Sequence, residues 1–425
     1  MRKRPVRTPI RSLVAVIMLF EMLAFLLVAL HPERQETEAL QALGLALCMP
    51  ALCWFSTLIL PKFLHADRLL MALMNFLCGV GVVILFSMVP DRGVRQAMFY
   101  ALGLVAMAVC ILLVRHVRSW RALCWLIIPA GLALLVLPLA FGSWQNGAKN
   151  WVSVPWLGSF QPSEVVKLML VVVLAYFFSP HPTFLQMLPA IVFTGGCLLL
   201  LMLQRDLGTA LMYYFTALIL FYAASGNVPL TVLAMGGGAG AAVVGYNMFA
   251  HVKVRVAMWR NPWSDALGSG YQIIQALLAI GSGGLLGVGL GLGEPRVIPA
   301  YYTDFVFAVI CEQFGIAFGV CVVAVYVLIM LRGLSLALRA RRSFLALLAL
   351  GCAALLGVQT FVIIGGVIKL IPLTGITMPF ISYGGTSMVS CMGLMGFLQG
   401  ISSRVREDLA KDIEMTGARE EAGVS

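Results

Sequence analysis

One acid, Asp304, closes a polar stretch at 251–304 and stands at the lip of the apolar run that follows. A carboxylate so placed can take the proton of an attacking hydroxyl, or hold a divalent cation beside a phosphate. The stretch is too charged and too rich in glycine to cross a bilayer, and function concentrates in such loops. It carries Lys253, Arg255 and Arg260, then Tyr271, Gln272 and Gln275, a glycine-rich run at 281–293, and finally Arg296 and Thr303. Gln272 and Gln275 lie one turn apart in an apolar segment, which predicts a short helix on the membrane with one polar edge. The glycine run has no Gly-Lys-Ser/Thr signature and no strand before it. That points to close backbone approach or a mobile lid rather than a nucleotide loop.

Two shorter stretches add polar groups. Pro162 and Ser163 mark a helix start, Glu164 falls in its first turn, and Lys167 three residues on shares a face with it at the membrane surface. Gln204, Arg205 and Asp206 form a charged hinge between two apolar runs. Lys149, Arg205, Lys253, Arg255, Arg260, Arg296 and Lys369 all fall on the expected outer side, where the usual charge bias would not place them. Cations there suit an anion arriving in the lipid, such as a pyrophosphate head group, or ordinary anionic lipids. Glu21 stands in the middle of an apolar run. An intramembrane acid is either functional or packed against a polar neighbour.

These groups must be positioned by membrane helices. Of 425 residues 61% are hydrophobic and only 11% charged, with a mean hydropathy of +0.97; water-soluble globular domains do not have this composition. Apolar runs fall at about 13–30, 40–61, 69–90, 97–114, 123–141, 165–178, 184–203, 208–224, 229–250, 305–331, 344–368 and 380–401. Most have the length an α-helix needs to cross a bilayer. The chain therefore reads as an all-α polytopic membrane protein of about twelve spans. The basic N-terminus, 62–68, 115–121, 332–342 and the tail after 404 are all rich in Lys or Arg, which puts both termini in the cytoplasm and loops 142–164 and 251–303 outside. The ten cysteines show no CxxC and no Cys/His cluster, so neither zinc nor a disulfide framework is indicated. The net charge of +11 is dispersed between spans, which argues against nucleic acid. The tail at 404–425 is mixed in charge and reads as a helix start that frays.

Seven motifs in order resemble the SEDS family (shape, elongation, division and sporulation). They are Asn146-Gly147-Ala148, the run from Gln161-Pro162-Ser163-Glu164 to Lys167, Asp206-Leu207-Gly208, Gly270-Tyr271-Gln272, Ile280-Gly281-Ser282-Gly283-Gly284, Thr303-Asp304-Phe305, and the segment from Leu373-Thr374-Gly375 through Pro379 to Ser387. The resemblance covers about residues 69–403, a ten-span core, and leaves the two extra N-terminal transmembrane helices at 1–68 outside it. It implies a peptidoglycan glycosyltransferase that polymerises lipid II at the outer face of the bacterial cytoplasmic membrane, in elongation, division or sporulation. It also implies a class B penicillin-binding protein transpeptidase as partner. The family's catalytic acid maps onto Asp304. The expected substrate-binding set is Lys149, Glu164, Lys167, Asp206, Arg260, Tyr271, Gln272, Gln275, Thr303, Glu312 and Lys369. A divalent cation, Mg or Mn, could rest on Asp304, and no organic cofactor is called for. The chain departs from the family pattern at Asn150, Arg205 and Ala300, and has Glu312-Gln313 where a pair of glutamates is usual. Two other readings remain open at this point: a carrier of lipid-linked precursor, for which Glu21 would matter, and a scaffold that has lost its chemistry.

Overall fold

The computed structural model describes residues 10–421 apart from 33, 118, 146, 155–157 and 180–182. In a bilayer every backbone group of a spanning segment must be satisfied within it, so the apolar runs become helices. They are α1 (Ile10–Ala29), α2 (Glu36–Trp54), a π-helical turn (Phe55–Ile59), α3 (Leu60–Leu64), α4 (Arg68–Met88), α5 (Pro90–His116) and α6 (Trp120–Phe141). After a small sheet come α7 (Pro162–Phe177), α8 (Phe184–Leu203), α9 (Leu207–Ser225), α10 (Val228–Met248), α11 (Ala250–Arg260) and α12 (Tyr271–Gly283). The chain ends with α13 (Val306–Arg339), α14 (Ser343–Val367) and α15 (Gly385–Glu421). Ten described helices are long and apolar enough to cross a membrane. Two of the expected spans fall outside that group: α7 has 16 residues, about 24 Å of helix, and α15 runs on into a charged end.

Helix α4 is apolar all round and lies at the centre: from Leu70 to Met88 every side chain except Phe76 is buried. The extra N-terminal helices pack onto this core. Phe20 of α1 stacks on Phe318 of α13 with centroids 5.8 Å apart and tilts against Phe76 of α4 at 6.1 Å. A polar seam fixes α2 beside them. The Asn75 amide donates to Ser56 and to Thr57, both at 2.7 Å, and accepts from the Tyr100 hydroxyl at 2.8 Å. Glu21 is buried against Gly79 of α4, and its Oε2 has no hydrogen-bond partner among the described residues.

The basic loops meet at one end of the bundle. Arg332 pairs with Asp67 at 2.6 Å, Arg115 with Glu407 at 3.3 Å, and Arg341 with Asp412. Such pairs carry α15 on as helix to Glu421, where the sequence pattern predicts fraying soon after residue 404. At the other end, the 142–164 loop adds a small sheet to the helical fold: β1 (Ser143–Gln145), β2 (Ala148–Val154) and β3 (Gly158–Phe160) pair antiparallel in the order β1-β2-β3. Gly147, at φ 82°, makes the turn between the first two strands.

The glycine run is packed backbone on backbone rather than built as a free lid. Val288 N donates to Glu312 O at 2.9 Å, Gly289 N to Gln313 O at 3.0 Å, and Ile316 N to Gly284 O at 3.0 Å. Helix α13 breaks at Gly315, whose φ of 86° and ψ of 163° are open to glycine alone. A Cβ there would meet the backbone of Leu285 and Gly287. Gly315→Ala is therefore expected to cost about 1–3 kcal/mol in strain alone, more with the overlap. Thermal melting in detergent checks this; an unchanged midpoint would show that the loop gives way freely.

Candidate functional site

Asp304 sits on a tight turn gathered on one carbonyl: Thr303 N and Asp304 N each donate to Ala300 O at 3.1 Å, the Thr303 hydroxyl at 3.2 Å and Phe305 N at 3.4 Å. Ala300 takes a left-handed φ of 57° to allow it. The turn is seated on the segment between α14 and α15. The Ser382 hydroxyl donates to Thr303 O at 2.6 Å and accepts from Met378 N at 2.9 Å, and Tyr383 N donates to Tyr302 O at 2.9 Å. Gln96 of α5 donates to Ser382 O at 3.0 Å, and the Arg92 guanidinium lies 3.5 Å over the Tyr302 ring. Thus the turn of Asp304 is held by its own backbone, by the segment between α14 and α15, and by α5.

Arg255 on α11 faces Asp304. Its Nη1 donates to Thr374 O at 2.8 Å. A Cβ at Gly375 would lie 3.6 Å from Arg255 Nη2 and 3.7 Å from Asp304 Oδ2, so this glycine leaves open the space between cation and acid. Burial pushes the Asp304 carboxyl up to about 6; the hydrogen bond from Thr303 and the charge of Arg255 hold it back from rising further. Burial also lowers the Arg255 pKa, opposed by Asp304 and Asp206, but a guanidinium remains charged. His251 is pulled down by burial and by the charges of Arg255 and Arg205.

Arg255 and Leu373 stand between two cavities. One, of about 420 Å³, is the more polar, with Arg205, His251, Arg255, Tyr271 and Gln272 among its lining beside Val254, Met258 and Leu373. The other, of about 1180 Å³, is an apolar groove between α9, α10, α13 and α14 that ends at Arg255 and Thr374. Only Gly245 of α10 is buried, so the groove lies along an outlying helix.

The structure places Tyr271 and Gln272 of the sequence-derived set on the smaller cavity with Arg255, and Asp304 and Thr303 on the turn that Arg255 faces. Asp206 stands close by as the cap of α9, accepting from Thr209 N at 3.2 Å, from Asn150 at 2.8 Å and from Gln161 at 3.2 Å. Asn150 thus has a use of its own. Lys149 is tied to Leu139 O at 2.7 Å, and Lys369 contributes its backbone, accepting from Trp259 at 3.1 Å. Arg260 is exposed and Gln275 lines neither cavity. Glu312 lies two turns into α13, where its Oε1 accepts from Glu294 N at 3.1 Å beside the glycine run. Asn146 lies outside the described residues.

Glu164 and Lys167 do pair, at 2.5 Å, but in the bundle interior, not at the membrane surface: Lys167 is fully buried. The expected helix face was right; α14 and α15 cover it. Glu164 Oε2 also accepts from Ser390 at 2.7 Å, and Lys167 reaches Gln359 Oε1 at 3.4 Å. Gln359 in turn donates to Thr377 O at 2.8 Å. The pair therefore braces the segment that seats Asp304. Gln359 was not singled out from sequence, although a glutamine in the middle of an apolar span was a signal.

Among the described residues no group of three or more His, Cys, Asp or Glu side chains could hold a metal ion. A divalent cation fits here only as one shared by Asp304 and a ligand's own phosphates, the usual habit of Mg.

Arg255→Gln is expected to slow any reaction that expels an anion here by about 10²-fold. Removing the cation that restrains the Asp304 pKa also moves the midpoint of the pH profile upward. A profile with an unchanged midpoint would separate the two groups.

Comparison with known proteins gives a consistent set of relatives. The family model of FtsW, RodA and SpoVE, described as cell cycle protein, matches residues 67–407. The peptidoglycan glycosyltransferase RodA of Mycobacterium tuberculosis is 32% identical over 81% of this chain and 80% of its own length. The probable peptidoglycan glycosyltransferase FtsW of Geobacter sulfurreducens is 36% identical over 73% and 85%, and stage V sporulation protein E of Bacillus subtilis is 34% identical over 72% and 86%. Among solved structures, rod shape determining protein RodA of Thermus thermophilus matches with a TM-score of 0.58 at 29% identity, covering 80% of this chain and 98% of that one. A chain from a peptidoglycan synthase complex described as coordinating polymerisation and crosslinking matches with a TM-score of 0.68 at 28% identity, over 80% and 98%.

Proposed function

The chain belongs to the FtsW/RodA/SpoVE family of cell cycle proteins, and from that premise we propose how it acts as a peptidoglycan glycosyltransferase: it polymerises lipid II at Asp304. The observation that carries this reading is the place of Arg255, which faces Asp304 and lines both an apolar groove among membrane helices and a more polar cavity. A lipid-linked sugar has the same division. Its polyprenyl chain fits the groove, its pyrophosphate falls beside Arg255, and its sugars reach the polar side.

Asp304 as carboxylate accepts the proton of the attacking sugar hydroxyl. The hydroxyl oxygen bonds to the anomeric carbon as the bond from that carbon to the lipid pyrophosphate breaks, and the pyrophosphate leaves with the electron pair. Arg255 meets the charge that develops on it, in a site where fixed charges act more strongly than in water. A divalent cation bound by Asp304 and the pyrophosphate would add charge neutralisation.

The positive-inside pattern supports an orientation with Asp304 on the outer face of the bacterial cytoplasmic membrane and both termini inside. A class B penicillin-binding protein is the proposed partner, supported by the likeness to a synthase complex that polymerises and crosslinks. The test is glycan-strand formation from lipid II by the purified protein with Mg or Mn, with and without that transpeptidase. Strands support the proposal. No strands under every condition would overturn it, and precursor movement across vesicles would then be measured.

A further inference from the structure

At the end of the bundle opposite Asp304, a cavity of about 850 Å³ opens between α3, α4, α13 and α15. Five basic side chains line it: Lys62, His65, Arg68, Arg332 and Arg406. Its two acids are already engaged. Asp67 Oδ2 takes Arg332 at 2.6 Å and Arg406 at 4.0 Å, while Oδ1 accepts from Leu69 N at 2.9 Å; Glu407 takes Arg115 at 3.3 Å and Arg404 at 3.5 Å. Lys62, His65 and Arg68 form no hydrogen bond or ion pair among the described residues. His65 ends α3 in a left-handed conformation at φ 54°, one that His adopts more readily than most L-residues.

A second cavity, of about 440 Å³, shares Lys62 and Arg68 with the first. It is a groove between α1 and the end of α2, floored by Val14, Met18, Trp54 and Leu58, with Arg11 at its rim. Basic head and apolar channel thus meet at two shared residues. Most of this site is built by residues before 67, outside the family match.

We infer that the N-terminal helices form a binding site for an anionic phospholipid, its phosphate held by Lys62, His65 and Arg68 and one acyl chain lying in the groove beside α1. Charge complementarity selects the occupant. Cations in excess of their partners at the membrane surface attract an anionic head group and not a zwitterionic one, and the adjoining groove has nothing to offer a soluble anion. The extension then has a use: it couples the core to the composition of the leaflet on that side.

The experiment uses the full-length protein, delipidated in detergent, titrated with dioleoyl phosphatidylglycerol or dioleoyl phosphatidylcholine, with bound lipid counted by native mass spectrometry. The native chain should retain phosphatidylglycerol preferentially. Lys62→Gln with Arg68→Gln should weaken that retention about tenfold or more, while Arg339→Gln with Arg342→Gln, at the same end but outside both cavities, should leave it unchanged. Ala15→Phe, which fills the groove and touches no charge, should weaken it as well, so the proposal is still tested if the double variant folds poorly. Equal retention of the two lipids, native retention by the Lys62/Arg68 variant, or equal loss in the Arg339/Arg342 control would each overturn the site. Displacement by millimolar inorganic phosphate, with Ala15→Phe having no effect, would show a soluble-phosphate site and refute the lipid.

Discussion

Asp304→Asn is expected to reduce strand formation from lipid II by about 10²–10⁴-fold, the usual contribution of a positioned general base, while the protein is recovered folded. The substitution keeps the size of the side chain and removes only its basicity and charge, so the turn closed on Ala300 O and the seat on Ser382 have no reason to move. The pH dependence follows from the same carboxyl. Its pKa is raised to about 6 by burial, and it acts as a base only when ionised, so kcat/KM should rise with pH through about 6 and then level off. A native enzyme equally active well below 6 would contradict the assignment, as would strands made at an undiminished rate by Asp304→Asn.

Lys167→Met should have the largest effect on stability. The ammonium is fully buried, 2.5 Å from Glu164, and breaking such a pair by removing one partner leaves the other charge buried without its counter-ion, at a cost of about 3–5 kcal/mol. Glu164 would keep only the hydroxyl of Ser390. The expected results are a lower melting midpoint and reduced recovery of monodisperse protein. Lys167→Met combined with Glu164→Gln should recover much of the loss, because no isolated charge then remains. Activity should fall with Lys167→Met even where the protein survives, since Gln359 would lose a link in the chain that leads through Thr377 to the seat of Asp304. If the single variant melts like the native chain, the pair does not brace that segment.

Much of this protein was legible in its sequence, because in a bilayer the reading is nearly one-dimensional. Apolar length and the need to satisfy every backbone group fix where helices lie; lysines and arginines between them sort the loops into two sets, and the structure brings several of the expected inner loops together at one end. Asp304 stood out as an acid where the polar stretch meets the apolar run. Helix periodicity also put Glu164 and Lys167 on one face. What that periodicity could not say was which neighbour covers the face, so a pair expected at the surface is in the interior. The glycine run had the composition of a lid; only its bonds to the α13 backbone show that close packing is what the glycines permit. Arg255 was one outer cation among seven, and nothing in its spacing from Asp304 distinguished it from Arg260. Their order of importance depends on which side of α11 meets the segment at 373–375, a contact across more than a hundred residues. Local pattern determines helices and their faces; the pairing of a cation with an acid depends on distances between distant segments, and only the tertiary structure supplies those.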